Sequence, residues 1–173
     1  MPAHRLRPVT ADDADLLLRL YASTRADELA LTTWPEAVRA AFVRQQCAAQ
    51  AAHYQAHWPD AEHAVIEAEQ DGVHLPVGRL WWYQRHDLVH VLDITLLPAW
   101  RGQGLGASCL RQRMAEAAGS GRTVSIYVEA GNPARRLYER LGFVPVGEPE
   151  GIHQRMAWRP AVAATVEICD EQA

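Results

Sequence analysis

The sequence predicts a single α/β domain, and three observations support this fold class. The chain has 173 residues, which is enough for one domain with a substantial core. Its composition, 49% hydrophobic and 22% charged, is that of an ordinary globular protein. Segments of strand and helix character follow one another in the order β-α-α-β-β-β-α-β-α-β-β. Because no repeat or linker divides the chain, we expect one domain over residues 4–159 and a loosely held tail over 160–173.

The N-terminal part begins with a short strand followed by two helices. Residues 4–9 are the strand, and Thr10 with Asp13 forms a capping-box pattern at the start of the first helix. The acidic residues 25–33 are predicted to be irregular. Trp34-Pro35-Glu36 opens a second helix that runs to about His57, because proline is favoured in a first turn. Residues expected to form the buried stripe of this helix are Val38, Phe42, Gln46, Ala49 and His53.

Strands dominate the middle of the chain, and strands and helices alternate after it. Asp71-Gly72 is a hairpin signal between the first two middle strands, and Gly142 is placed to end the last helix. The predicted strands are residues 63–69, 77–83, 88–97, 123–129 and 152–158, with a further strand starting at 144. The predicted helices span about 107–118 and 132–141.

Charge and cysteine usage exclude several classes of protein. The net charge is −4 without a block of like charges, which argues against nucleic-acid binding. No apolar run is long enough to cross a membrane, and the first residues do not resemble a signal peptide, so we expect a cytoplasmic protein without membrane contact. The three cysteines form no paired motif. His53 and His57 have the spacing of a metal pair but lack a third ligand, so no metal site is predicted.

The most informative segment is the glycine turn, residues 101–106, with the sequence RGQGLG. It follows the apolar run 90–97 and precedes a helix-like run. Glycines let the backbone approach a ligand closely, and the first N–H groups of a helix lack partners and attract anions. The segment therefore predicts a pyrophosphate site.

Two interpretations of this site compete. Residues 102–107 also fit the dinucleotide pattern G-x-G-x-x-G/A, and Glu129 lies near the spacing of a ribose-binding acid. Against that interpretation, four residues separate the strand from the first glycine, and too few βαβ units follow to complete a dinucleotide-binding fold.

Two motifs resemble the Gcn5-related N-acetyltransferase (GNAT) family more closely. The first is LLPAWRGQGLG at residues 96–106, which follows the family pattern with Leu in place of Val. The second is NPARRLYERLGF at residues 132–143, which is similar to the family's N-x-x-A-x-x-x-Y-x-x-x-G-F. The order of elements over residues 4–159 also agrees with that family.

The resemblance implies a mixed, mostly antiparallel sheet with helices on both faces, splayed between its fourth and fifth strands. It implies that acetyl-CoA, the cosubstrate, lies in the splay with its pyrophosphate on the glycine turn. The residues it assigns to this ligand are Ile94, Leu96, Arg101, Gly102, Gln103, Gly104, Leu105, Gly106, Asn132 and Tyr138. Arg135 is a further candidate for the phosphates, because it lies in the first turn of the helix and arginine suits phosphate.

Three residues are candidates for the chemistry. By the resemblance, Tyr138 stands near the thioester sulfur and acts as the acid, and the N–H of Leu96 stabilises the carbonyl oxygen. His90 is a candidate base on the strand face that alternation shares with Ile94 and Leu96, and Asp93 is a second candidate on the other face. Glu129 and a water molecule remain open as alternatives.

The predicted function is direct transfer of an acetyl group from acetyl-CoA to a primary amine. A small-molecule amine is expected before a protein amino group, and a homodimer is left open. The alternative is a non-catalytic module that binds acyl-CoA as a sensor.

Overall fold

The computed structural model describes residues 3–161, so most of the predicted tail lies outside the described residues. Short 3-10 helices at Ala11–Asp13 and Pro98–Trp100 precede α1 and α3 respectively. The helices are α1 (Ala14–Ala30), α2 (Glu36–His57), α3 (Leu105–Gly119) and α4 (Ala134–Arg140). The strands are β1 (His4–Pro8), β2 (Glu62–Gln70), β3 (Val73–Gln84), β4 (Leu88–Leu96), β5 (Thr123–Glu129), β6 (Val144–Pro145) and β7 (His153–Trp158). Within this part of the chain, no helix combines the length and apolar character that spanning a bilayer requires.

All seven strands form one sheet in the order β1-β2-β3-β4-β5-β7-β6. Every neighbouring pair is antiparallel except β4 and β5, which are parallel. The predicted mixed, mostly antiparallel sheet is confirmed. The dinucleotide-binding interpretation is wrong, because that fold needs a parallel sheet built from successive βαβ units.

The β2–β3 hairpin turns at the two residues that the sequence indicated. Asp71 and Gly72 have φ values of 53° and 77°, and Gln70 pairs directly with Val73. Positive φ at both central residues is the backbone of a type I′ turn, whose twist matches the flanking strands. The tight turn leaves no loop, so β3 begins at residue 73 instead of the predicted 77.

Two expectations about the first helices are wrong. Residues 25–30 continue α1 instead of being irregular, because their charges lie at helical spacing and Arg25 donates to Glu28 at 2.9 Å. In α2 the buried side chain is Val43, whereas Val38 is 48% exposed. Of the predicted stripe, Ala49 and His53 are exposed as well, whereas Phe42 and Gln46 are half-buried, as are Cys47, Gln50 and Tyr54.

Helices cover both faces of the sheet and create two clusters of buried side chains. The larger cluster joins the sheet to α3 and α4 and includes the predicted inward residues of β5, Val124, Ile126 and Val128. The smaller one joins α1 to β2 through Leu16, Leu20 and Val65. Burial on both faces explains why the strands contain long apolar runs.

An ion-pair network attaches the N-terminal strand to the sheet. Arg7 donates to both carboxylate oxygens of Asp13 at 2.7 and 2.8 Å and to Glu67 at 2.7 Å, and Arg5 also donates to Glu67 at 2.6 Å. The hydrogen bonds from Arg7 hold the pKa of Asp13 well below its usual range. Burial raises the pKa of Glu67, but the bonds from the two arginines leave it below the ordinary value.

Candidate active site

The sheet opens between β4 and β5. Their parallel pairing covers only four pairs and ends at Val91 with Ile126. Beyond that point β4 continues through Leu92–Leu96, and β5 continues through residues 127–129, without pairing to each other. The facing edges therefore carry backbone groups that no strand satisfies, and this gap, called the splay below, is open to an extended ligand.

A β-bulge lies where the splay begins. Trp82 pairs with Val91 and Trp81 pairs with Asp93, so Leu92 is an extra residue in β4 with no partner in β3. A bulge shifts the alternation of side chains by one position. Ile94 and Leu96 accordingly pack on the α3 face with Val89 and Val91.

The bulge corrects the expected placement of His90. Strict alternation put His90 on the face of Ile94 and Leu96, but the extra residue places it on the opposite face, together with Asp93 and Thr95. The two candidate bases therefore share the sheet face on which α1 and α2 lie.

The backbone of Leu96 is directed into the splay. The N–H of Leu97 donates to Val77 of β3 at 2.8 Å, so the polar groups of Leu96 and Ile94 point to the other edge of β4. The carbonyl of Leu96 accepts a hydrogen bond there from Nε of Arg101 at 2.9 Å. The edge assigned to the acetyl and pantetheine groups thus faces the gap.

The glycine turn follows β4 after the short 3-10 helix Pro98–Trp100, and it begins α3. Gly102 and Gly104 have φ values of 73° and 84°, which is the left-handed region that glycine adopts without strain. Gly104 is the N-cap of α3 and has no side-chain cap. Within the described residues, no protein group accepts from the N–H groups of Gly102 to Ala107. The first N–H of α3 with a protein acceptor is that of Ser108, which donates to the carbonyl of Gly104. These free donors and the helix dipole fit a pyrophosphate.

Side chains of the turn attach it to its surroundings. Arg101 donates from Nη2 to Ser23 of α1 at 2.7 Å, and Gln103 donates to the carbonyl of Ala99 at 2.7 Å. At Gly106 an added Cβ would meet Leu96 and Leu137 at ordinary contact distances of 3.7 and 4.0 Å. The N-terminal turn of α3 is therefore packed between the end of β4 and α4.

Tyr138 of α4 is buried, with its ring 6.0 Å from the ring of Phe143. Burial, with a smaller contribution from the charge of Asp93, raises the pKa of its phenol above the ordinary value. Its hydroxyl donates to no protein group in the described part of the chain. The phenol is thus a protonated donor with its hydrogen bond available.

The remaining predicted residues of α4 and the preceding loop have protein partners. Oδ1 of Asn132 accepts from the N–H of Ala134 at 2.9 Å in the turn that leads into α4, which leaves its amide N–H₂ for a ligand. Arg135 pairs with Glu139 one turn later at 3.0 Å, on the surface of α4. Glu129 is exposed and lies 3.6 Å from His153.

His90 is buried and bonded to Ser125. Its Nδ1 lies 2.6 Å from Oγ of Ser125, its partner in the β4–β5 pairing, and both residues precede the point where the splay begins. Burial lowers the pKa of His90 to about 4, with a smaller effect from Arg155. The imidazole is therefore neutral at physiological pH, but it is a weaker base than the near-neutral histidine that the sequence led us to expect.

Asp93 belongs to a buried ion pair that sequence inspection missed. One of its carboxylate oxygens accepts from Nε of Arg79, and the other accepts from the hydroxyl of Thr95 at 2.9 Å. Arg79 is 3% exposed and also donates to Gln50 of α2 at 2.7 Å. A signal existed: Arg79 and Asp93 are lone charges in two consecutive apolar strands, which a hairpin brings together.

The described cysteines and histidines outside the splay form neither an activated nucleophile nor a metal site. Cys109 is fully buried, and burial raises the pKa of its thiol to about 12; burial also raises the pKa of Cys47. In the described residues, no group of three metal-ligating side chains occurs, and Nδ1 of His57 is bonded to the carbonyl of His53 at 2.8 Å. Neither described cysteine has the low pKa that a covalent acyl intermediate would require.

The chain matches the model of a known protein family. A family model described as the acetyltransferase (GNAT) family matches residues 25–143. No curated protein sequence matches the chain.

Solved structures resemble the fold over nearly the whole chain. The PaiA N-acetyltransferase of Thermoplasma acidophilum, in complex with coenzyme A, has a TM-score of 0.62 and 15% identity, covering 91% of this chain and 99% of that chain. An acetyltransferase from Thermus thermophilus has a TM-score of 0.62 and 23% identity, covering 92% and 99%. Ard1 from Thermoplasma volcanium has a TM-score of 0.57 and 15% identity, covering 92% and 99%.

Proposed function

The chain belongs to the GNAT acetyltransferase family, with acetyl-CoA as cosubstrate, and we propose that it transfers the acetyl group directly to a primary amine. The observation that carries this proposal is the juxtaposition of free backbone donors in the glycine turn with an edge of β4 that no strand pairs with. Donors of the glycine turn stand at the end of β4, and the β4 edge next to them faces the splay. The donors suit a pyrophosphate, and the edge suits an extended amide chain ending in a thioester.

Acetyl-CoA supplies an acyl group already activated as a thioester, so the protein has to bind, orient and stabilise charge. We propose that the N–H of Leu96 donates to the carbonyl oxygen as negative charge develops there. The raised pKa of Tyr138 supports a role as hydrogen-bond donor to the departing sulfur. Complete proton transfer from this phenol to a thiolate is uphill, because an ordinary thiol has a pKa of about 8.5.

The amine has to lose its proton before it attacks. We propose that the neutral imidazole of His90 orients the amine or a water molecule by accepting a hydrogen bond. With a pKa of about 4, His90 does not hold the proton, which then passes to solvent. Asp93 is proposed as a positioning residue, because Arg79 and Thr95 occupy its oxygens.

Direct transfer is favoured over a covalent intermediate because Cys47 and Cys109 have raised pKa values. For the acceptor we propose a small primary amine first and a protein amino group second. A panel of small amines and short peptides, assayed by thiol release from acetyl-CoA, separates the two.

The first prediction concerns Tyr138→Phe. We expect kcat to fall about 10²-fold, because the variant removes only the donor to the departing sulfur. The Kd of coenzyme A should change by less than about twofold, since the hydroxyl has no protein partner to lose. Calorimetric titration with coenzyme A and the thiol-release assay measure the two quantities.

Tyr21→Phe is the matched control, because Tyr21 is a buried tyrosine of α1, a helix that carries neither of the two motifs assigned to the cosubstrate. A Tyr138→Phe protein with wild-type kcat would refute the catalytic role. A wild-type protein that binds coenzyme A but acetylates no amine or peptide would favour the acyl-CoA sensor.

A further inference from the structure

The bulge at Leu92 decides how β4 meets the ligand gap. It lies one residue after the last β4–β5 pair, and it shifts the alternation that sends the polar groups of Ile94 and Leu96 into the splay. An extra residue in a strand has no ladder partner of its own. Its conformation therefore depends on what else holds it.

Helix α2 supplies one such contact. The hydroxyl of Tyr54 donates to the carbonyl of Leu92 at 3.2 Å. The ring of Tyr54 is held edge-on by Trp81 at 4.9 Å and by Trp58 at 5.8 Å. Burial raises the pKa of Tyr54 to about 12, so its hydroxyl remains protonated and remains a donor at physiological pH.

A second contact from the same stripe of α2 reaches the next residue. Gln50 lies one helical turn before Tyr54 and accepts from Arg79 at 2.7 Å. Arg79 in turn binds the carboxylate of Asp93. Two side chains of α2 thus contact consecutive residues of β4: Tyr54 binds Leu92 directly, and Gln50 reaches Asp93 through the buried Arg79.

We propose that Tyr54 is a positioning residue for acetyl transfer, which holds the β4 bulge so that the backbone of Ile94 and Leu96 is presented to the acetyl group. Gln50 supports the same stretch of β4 through Arg79, which binds Asp93 directly after the bulge. This inference rests on the proposed function, because it assumes that the splay holds acetyl-CoA. It assigns α2 a role in aligning the acetyl site in addition to covering the sheet.

A purely structural role for Tyr54 would have a different signature. Loss of one hydrogen bond that only stabilises the fold would affect all parts of the cosubstrate site equally. Loss of a bond that positions the bulge would affect the acetyl end and leave the pyrophosphate end unchanged, because the glycine turn is also held outside β4, by Arg101 on Ser23 of α1 and by Gln103 on the carbonyl of Ala99.

Hydrogen–deuterium exchange read by mass spectrometry tests this without a known acceptor. Peptides covering β4 (residues 88–97) and the glycine turn (102–107) are followed in the free protein, with coenzyme A and with acetyl-CoA. Wild type, Tyr54→Phe and Tyr21→Phe are compared. The control removes the hydroxyl of a buried tyrosine that makes no hydrogen bond to the bulge.

We expect acetyl-CoA to protect β4 more than coenzyme A does in wild type and in Tyr21→Phe. In Tyr54→Phe this extra protection should fall about fivefold, the effect of one hydrogen bond, while protection of the glycine turn is retained. Equal behaviour of Tyr54→Phe and wild type would overturn the inference. Equal protection of β4 by both ligands in wild type, or parallel loss at both peptides in the variant, would overturn it as well.

Failure of the proposed function is a separate result. In that case neither ligand protects the glycine turn of the wild-type protein, whatever happens at β4.

Discussion

At the scale of single residues, position 78 of β3 has no room for a side chain, because it packs against the end of β4. It pairs with Leu96 across the β3–β4 hairpin, and a Cβ built on it would lie 2.7 Å from the carbonyl oxygen of Thr95 and 2.5 Å from Cδ2 of Leu96. A side-chain methyl can move aside, but a carbonyl in a sheet cannot move without shifting its strand. Only glycine therefore lets β3 support this part of β4 closely.

We predict that Gly78→Ala lowers the free energy of unfolding by about 1–3 kcal/mol, the usual cost of overpacking. Urea denaturation measures it. Gly119→Ala is the control, because it lies at the C-terminal end of α3 with no atom within 4 Å of an added Cβ. Unchanged or increased stability of Gly78→Ala would show that β3 can move away from β4 at no cost.

At the scale of elements, the N-terminus of α3 joins the pyrophosphate donors to the sheet. Its donors are free because Gly104 caps the helix with backbone alone. A side chain at that position would be strained at φ 84° and would reorient the N–H groups of the first turn. A substitution at Gly104 should therefore both strain the backbone and weaken ligand binding, whereas a substitution at a positive-φ glycine outside the turn should only strain the backbone.

We predict that Gly104→Ala weakens binding of coenzyme A about tenfold and lowers the free energy of unfolding by about 1 kcal/mol. Gly147→Ala is the matched control, since Gly147 has φ 72° and no neighbour within 4 Å of an added Cβ. The control should show the same loss of stability with an unchanged Kd in calorimetric titration. Equal Kd values for the two variants would argue against pyrophosphate binding at the turn.

At the scale of the whole molecule, the protein buries neutral imidazoles together with ionised carboxylates. Burial lowers the pKa values of His63 and His90 from 6.5 to about 4. In the unfolded chain both imidazoles take up protons below about pH 6.5, whereas in the folded protein they do so only near pH 4. The unfolded state therefore binds more protons between these values, and stability falls as the pH falls.

We predict that the free energy of unfolding decreases by about 3–4 kcal/mol between pH 7 and pH 5, from these two histidines together. A further decrease should follow near pH 4 and below, as Asp13 and Glu67, whose pKa values are lowered in the fold, lose their charges. Urea denaturation at pH 7, 6 and 5 measures the first step. The double variant His63→Gln/His90→Gln should flatten it, and His86→Gln, at an exposed site, should not. A wild-type stability equal at pH 7 and pH 5 would contradict burial of neutral histidines.

From the sequence alone, local patterns predicted most of the elements, and the resemblance of two motifs to a known family implied the class of the sheet, the family and the cosubstrate. These features depend on local signals: alternation in β5, the Asp71-Gly72 turn, the proline at the start of α2 and the two motifs around Arg101 and Tyr138. Local chain geometry dictates such patterns, so they can be read without knowing what packs against them.

Only the tertiary structure decided the surroundings of the candidate bases. The bulge at Leu92 put His90 on the face opposite to the one that alternation predicted, and Arg79 paired with Asp93. Helix α2 turned Gln50 and Tyr54 toward the sheet, neither of which belongs to the predicted stripe. A bulge inserts one residue without any change of local composition, and burial of a charge depends on a partner distant in the chain. Register between elements is set by packing across the sheet, which no window of the sequence contains.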